Sequence, residues 1–188
     1  MRCSAGIVLV LAGGLVLHSA LASSTVVRAQ DAPVTTVGVV DLQRYAGTWY
    51  EIARLPNEFQ RECAGQVTAT YTPVADGRIE LVNRCRTLEG MREAVGIARP
   101  SGSSAGHARL EVRFAPAWLS FLPFVWGDYW IIDLADDYST AIVGSPDRKF
   151  LWLLARTPGV TAPTYARLVA AAAGQGFATD HLQRTPQE

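Results

Sequence analysis

Lysine is almost missing from this sequence: of 17 basic residues only Lys149 is a lysine, and acidic residues also number 17. With a formal net charge of zero, no bulk field draws the chain to nucleic acid or to an anionic membrane. Histidine is as scarce. His18 falls in the N-terminal segment, His107 and His181 stand alone, and neither H-E-x-x-H nor a phosphate-binding loop occurs. No metal and no cofactor is therefore expected. Asp136 and Asp137 are adjacent in a turn, where turn chemistry accounts for them better than acid–base work. Cysteine is limited to Cys3, Cys63 and Cys85. The one sustained apolar run, residues 5–17, is short of the roughly 20 residues that a membrane-spanning helix needs. Enzyme readings are correspondingly weak, and a binding function is the stronger expectation.

What is present begins with an export signal. Arg2 precedes the apolar run, and "SALAS" and "VRAQ" offer small-residue cleavage sites after Ala22 or Ala29. Residues 1–29 are thus predicted to be removed, leaving a soluble protein outside the cytoplasm. Cys3 lies before the apolar run, so it is not the lipid-bearing cysteine of a bacterial lipoprotein. Its removal leaves Cys63 and Cys85, an even pair in an oxidising compartment. Residues 30–38 have no periodicity and read as a flexible leader to one domain over 39–186.

From Thr48 to Gly144 the sequence reads as strand after strand, punctuated by turn residues, and one more strand closes the set. Asp41 can cap a short helical turn in "DLQRYAG". "TWYEIARL", "QVTATYTP", "RIELVNRCR", "REAVGIAR", "ARLEVRFAP", "DYWIIDL", "STAIVGSP" and "FLWLLAR" make eight strands, the second and third joined by the Asp-Gly hairpin of "VADG". Short, regular connections predict an antiparallel sandwich or barrel. One helix follows in "TAPTYARLVAAAAGQG", with Thr161 as cap, Gly174 or Gly176 as stop, and Tyr165, Leu168, Val169 and Ala172 on the docking face. "FATDHLQ" reads as a last short strand.

Strand faces carry the functional information. Leu110, Val112 and Phe114 alternate with Arg109, Glu111 and Arg113; Val67, Ala69 and Tyr71 alternate with threonines. Ala94, Gly96 and Ala98 share a face, and small residues inside leave space, either for a cavity or for a second packed sheet. Along the second hairpin, Cys63 shares parity with Val67, Ala69 and Tyr71, and Cys85 with Ile79, Leu81 and Asn83. Both sit near the end away from Asp76, which predicts a disulfide.

Gly47-Thr48-Trp49, the "DDY" of Asp136-Asp137-Tyr138 and the late Arg156, in that order on those strands, resemble the three marks of the lipocalin family, with Asp136 standing for a threonine. "GTWYEIARLPNEF", "VTATY", "NRCR" and "LWLLARTP" extend the resemblance, in particular to the bacterial lipocalins related to apolipoprotein D. It implies an all-β fold: an eight-stranded antiparallel up-and-down barrel with the C-terminal helix packed outside, closed at one end, holding a lipophilic ligand. Gly47, Trp49, Asp137, Tyr138 and Arg156 would be structural, with the Arg156 guanidinium laid across the Trp49 indole. Counting inward from these marks predicts a ligand cavity lined by Glu51, Ala53, Tyr71, Leu81, Asn83, Phe114, Trp130, Ile132, Trp152 and Leu154, with Trp126 at the mouth. Glu51, costly in a cavity unless hydrogen-bonded or protonated, is expected to meet an internal polar partner such as Asn83, or else a ligand or a buried water.

The stretch 118–126 is too apolar for an ordinary solvated loop. It reads as folded onto the barrel, as a lid, as a homodimer contact or as a membrane-touching tip. The function expected is an exported, periplasmic lipocalin, associated with the outer membrane or free, that binds, stores or transports a fatty acid or lysophospholipid. The alternatives are an interaction protein acting through residues 118–126, or an enzyme built on the same barrel.

Overall fold

The computed structural model describes residues 32–102 and 106–188. The expected signal peptide, both cleavage sites, Cys3 and His18 lie outside the described residues. Asp41 caps a single helical turn, α1 (Leu42–Tyr45), its carboxylate accepting from the N–H groups of Gln43 and Arg44. The chain then runs through β1 (Gly47–Arg54), β2 (Gly65–Pro73), β3 (Ile79–Thr87), β4 (Gly90–Pro100), β5 (Arg109–Arg113), β6 (Gly127–Leu134), β7 (Thr140–Gly144) and β8 (Leu151–Ala155). Each strand pairs antiparallel with the next, and β1 pairs with both β2 and β8. That double pairing closes the sheet into an eight-stranded barrel and removes its exposed edges.

Local sequence explains the corners. Asp76 and Gly77 join β2 to β3 with φ of 63° and 67°, the left-handed pair that Asp-Gly adopts most readily. Thr161 caps α2 (Ala162–Gly174) by accepting from the Thr164 N–H, and Pro163 occupies its first turn, where no donor is needed. The "FATDHLQ" stretch departs from expectation. It forms a 3-10 turn at Thr179–His181, and only Gln183–Arg184, labelled β9, is strand. The reason is the edge available to it. β2 covers β1 from Gly47 to Tyr50, so the C-terminal segment meets only the last part of β1, where Ala53 and Arg54 pair with β9 and the Ile52 carbonyl accepts from the Thr185 N–H.

Two hydrophobic cores flank the sheet. Inside the barrel pack Tyr45, Trp49, Tyr71, Ile79, Leu81, Leu110, Tyr129, Ile131, Val143 and Leu154. Between the barrel and α2 pack Ile52, Ala53, Leu55, Ile132, Ile142, Leu153, Ala155, Leu168 and Ala172. The segment before α1, expected as a loose leader, joins the fold. Val34 is buried in the outer core, and the Val37 N–H donates to the Ile131 carbonyl at 3.0 Å.

Two β-bulges decide which residue faces which core. One falls at Ile52, between the β1–β8 pairs Glu51↔Leu154 and Ala53↔Leu153; the other falls between Ile131 and Asp133 where β6 meets β7. Each inserts one residue and reverses the inside–outside parity beyond it. Strict alternation from Trp49 put Ala53 inside; it lies in the outer core, and Arg54 points inward in its place. Alternation back from Leu134 put Trp130 and Ile132 inside; both pack on the outer core, while Tyr129 and Ile131 face the interior.

Cys63 and Cys85 form a disulfide, with Cα atoms 5.6 Å apart and a sequence separation of 22. Cross-linking a loop of that size stabilises by about 3 kcal/mol in the chain-entropy account. It pins the β1–β2 connection to the rim of β3.

Candidate functional site

The β1–β2, β3–β4, β5–β6 and β7–β8 connections gather at one end of the barrel, which stays open. The other end is sealed. Trp49 is fully buried there, and its indole N–H donates to the Tyr45 carbonyl at 2.8 Å. The Arg156 guanidinium lies 4.0 Å above the Trp49 ring and donates to the carbonyls of Thr48, Arg44, Tyr45 and Tyr138 at 2.7–3.4 Å. Gly47 has φ +90°, and a Cβ there would reach the Arg156 guanidinium at 3.4 Å. Asp137 accepts from the Ser139 N–H at 2.9 Å, which lets the turn place Tyr138. The Tyr138 hydroxyl then accepts from the Asp41 N–H, and its ring carries the Arg44 guanidinium at 4.0 Å. These contacts tie the turn of α1 across the barrel floor.

Above that floor lies a cavity of about 690 Å³ opening at the mouth, with a pocket of about 60 Å³ beneath it. The larger size falls within the range of small-molecule sites. Of the residues expected to line it, Tyr71, Leu81, Asn83, Phe114, Trp126 and Trp152 border the large cavity, and Glu51 and Leu154 border the small one. Ala53, Trp130 and Ile132 border neither. Gly96 makes room for Phe114, since a Cβ at Gly96 would lie 2.8 Å from that ring. Phe59, Phe150 and Trp152 form an aromatic file into the mouth, with centroids 5.5 and 6.0 Å apart. Across from it, the Trp126 ring is flanked by the guanidinium groups of Arg99 and Arg113 at 3.8 and 5.2 Å, and its N–H donates to the Ser120 carbonyl.

Glu51 does not pair with Asn83. It accepts from Arg54 at 2.7 Å, from the Gln60 amide at 2.6 Å, and from the Thr185 hydroxyl. Gln60 in turn accepts from the Trp152 indole N–H at 2.8 Å. A buried ion pair thus extends through an amide to the cavity wall and latches the β1–β2 connection. A charged pair inside a strand was the puzzle of "TWYEIARL"; the bulge at Ile52 brings both charges to one face.

Sequence reasoning also missed the polar floor of the cavity. The Tyr129 hydroxyl bonds those of Tyr45 and Tyr71 at 2.9 and 2.7 Å. Burial pushes all three phenol pKa values well above their ordinary range, so this floor stays neutral. The alternation in "GDYWIID" that would reveal Tyr129 is legible only if the bulge is known.

The β5–β6 connection is not folded down. Trp118, Phe121 and Phe124 are 72%, 75% and 79% exposed. Two 3-10 turns, Ala117–Leu119 and Pro123–Val125, shape it, and Trp126 anchors its stem. The string "GSSAG" at 102–106 matches the spacing of a hydrolase nucleophile elbow, G-x-S-x-G. Here it joins β4 to β5, whereas such an elbow needs a strand running into a helix; its middle residues lie outside the described ones.

A closed antiparallel barrel with one sealed end, an outer helix and an apolar cavity defines the lipocalin class of binding proteins. Residues 40–187 match the family model for a lipocalin-like domain, and the chain belongs to the lipocalin family. It is 37% identical to temperature-induced lipocalin-1 of Arabidopsis thaliana, covering 79% of this chain and 80% of that protein. It is 38% identical to the outer membrane lipoprotein Blc of Escherichia coli, covering 77% of each. Apolipoprotein D of Mus musculus is 31% identical over 78% of this chain and 77% of its own length. Among solved structures, the cockroach allergen Per a 4 superposes with a TM-score of 0.61 at 18% identity, over 82% of this chain and 94% of that one.

Proposed function

We propose that this chain is an exported lipocalin that binds and carries a fatty acid or lysophospholipid in the 690 Å³ cavity. The observation that carries the reading is that cavity, open at one end and bordered mainly by aliphatic and aromatic side chains. Burial of an acyl chain supplies a gross gain of about 0.8 kcal/mol per methylene. Lost ligand freedom offsets much of it, leaving affinity near the micromolar range. The Cys63–Cys85 disulfide favours an oxidising compartment, and similarity to an outer membrane lipoprotein favours the periplasm. Cys3 precedes the apolar run, so it is not taken as a lipid anchor.

Trp152 stacks on Phe150 in the entrance. Titrating hexadecanoic acid or lysophosphatidylcholine should therefore change tryptophan fluorescence and raise the melting temperature. Trp152→Arg should weaken both responses at least about tenfold, since a guanidinium would be desolvated by the chain; far-UV circular dichroism checks that the barrel persists. If neither lipid changes fluorescence, melting temperature or native mass, the carrier reading fails.

A second reading concerns partners. Residues 114–126 hold no charged side chain, and three exposed rings project beside the mouth. We infer that this tip rests on a lipid surface from which ligand enters. Binding to phosphatidylcholine vesicles should be insensitive to salt, as apolar insertion requires. It should fall about tenfold or more when Trp118, Phe121 and Phe124 are replaced by serine. A change of oligomeric mass without loss of vesicle binding would make the tip a homodimer contact instead.

A further inference from the structure

The floor of the cavity holds more hydrogen-bond donors than it uses. Three hydroxyls, those of Tyr45, Tyr71 and Tyr129, share two hydrogen bonds, both made to Tyr129. Three hydroxyl hydrogens serve two bonds, so one hydrogen has no acceptor within the trio. It sits on Tyr45, Tyr71 or Tyr129 according to the direction of the bonds. In two of those three arrangements it belongs to Tyr71 or Tyr129. Both line the large cavity and the small pocket below it, whereas Tyr45 lines neither.

A buried donor without an acceptor is costly, and the methyl end of a plain acyl chain would leave it so. The surroundings also select the acceptor. The phenols remain neutral; among the described residues, Arg54 is already paired with Glu51, and Arg156, whose charge reaches Tyr45 and Tyr71 from the sealed end, is engaged by the Trp49 ring and four backbone carbonyls. A carboxylate at the floor would be buried without a free counter-charge. A neutral oxygen, whether hydroxyl, carbonyl or ester, accepts the hydrogen without that cost, and the lone pairs of the trio can take its own proton.

Depth fixes where on the ligand that oxygen lies. β2 begins at the mouth with Gly65 and reaches Tyr71 six residues later, about 20 Å along the strand, or about 15 Å down a tilted barrel. At about 1.2 Å per bond, an extended chain of roughly 13 to 17 carbons covers that distance. We propose that the tyrosine trio is a subsite for an uncharged oxygen at the far end of the acyl chain, so the preferred ligand is a long-chain lipid oxygenated at or near its ω-end. This inference rests on the carrier reading and names the ligand's chemistry.

The experiment compares hexadecanoic acid with 16-hydroxyhexadecanoic acid by calorimetric titration in wild-type protein, Tyr71→Phe and Tyr129→Phe. Burying an ω-hydroxyl without a partner should weaken binding by about tenfold or more. Wild-type protein should bind the hydroxy acid at least as tightly as the plain acid. Each substitution should shift that ratio about tenfold against the hydroxy acid, whatever it does to hexadecanoic acid itself. Binding of the plain acid, with the hydroxy acid disfavoured equally in all three proteins, overturns the subsite and leaves the carrier reading intact. A ratio that favours the hydroxy acid but is unchanged in both variants also overturns it. Binding of neither acid overturns the carrier reading itself.

Discussion

Replacing Arg54 by methionine is expected to destabilise the barrel by about 3–5 kcal/mol in urea unfolding. The Glu51 side chain is 3% exposed and that of Arg54 11%, so the Coulomb attraction and the desolvation cost are both large. Methionine fills similar volume but leaves the carboxylate with only the Gln60 amide and the Thr185 hydroxyl as donors. The double variant Glu51→Leu/Arg54→Met removes both charges and should recover most of the loss, since a buried pair often contributes little over an apolar isostere. A single substitution costing less than about 1 kcal/mol, or a double variant no better than the single, would show that the pair is not what fixes this corner. The same variant should also loosen the mouth. Gln60 is held by Glu51 on one side and by Trp152 on the other.

Arg156→Ala should cost about 3 kcal/mol, or roughly 6–12 °C of melting temperature for a chain of this size. The substitution removes a guanidinium stacked on Trp49 and leaves up to four carbonyls without their charged donor. Lysine should not rescue it, because one ammonium can neither stack flat nor reach carbonyls from three directions. Lipid affinity should change little, since neither Arg156 nor Trp49 borders the cavity. Loss of affinity at undiminished stability would displace the sealed end from the role given to it.

The closing apparatus of the barrel was legible through the resemblance to the lipocalin family. Gly47, Trp49, Asp137, Tyr138 and Arg156 stand in three short motifs in chain order, although the contacts they make, such as Arg156 on Thr48 and Tyr138 on Asp41, are far apart in sequence. The hairpin at Asp76 placed Cys63 opposite Cys85. Along the strands, lining residues were legible as far as alternation runs unbroken. On β2 and β3 that holds where it matters, so Tyr71, Leu81 and Asn83 fall where parity puts them. On β1 and β6 a single extra residue reverses the faces, and no composition signal marks Ile52 or the Ile131–Asp133 step. Ala53, Trp130 and Ile132 were thus exchanged for Arg54, Tyr129 and Ile131. Gln60 escaped for a different reason: it belongs to a connection, and only the closed barrel brings it to Glu51 and Trp152.

The double pairing of β1 has a bearing on when this molecule can form at all. The seam between β1 and β8 pairs residues from Tyr50↔Ala155 to Arg54↔Trp152, and the clasp of Arg156 on Thr48 joins residues 108 positions apart. Neither can form while the ribosome or a translocation channel still holds the last strand. A topology so rich in non-local pairing folds slowly, in milliseconds to seconds. That leaves time for an oxidant to join Cys63 to Cys85 before the ends of the chain are knitted together.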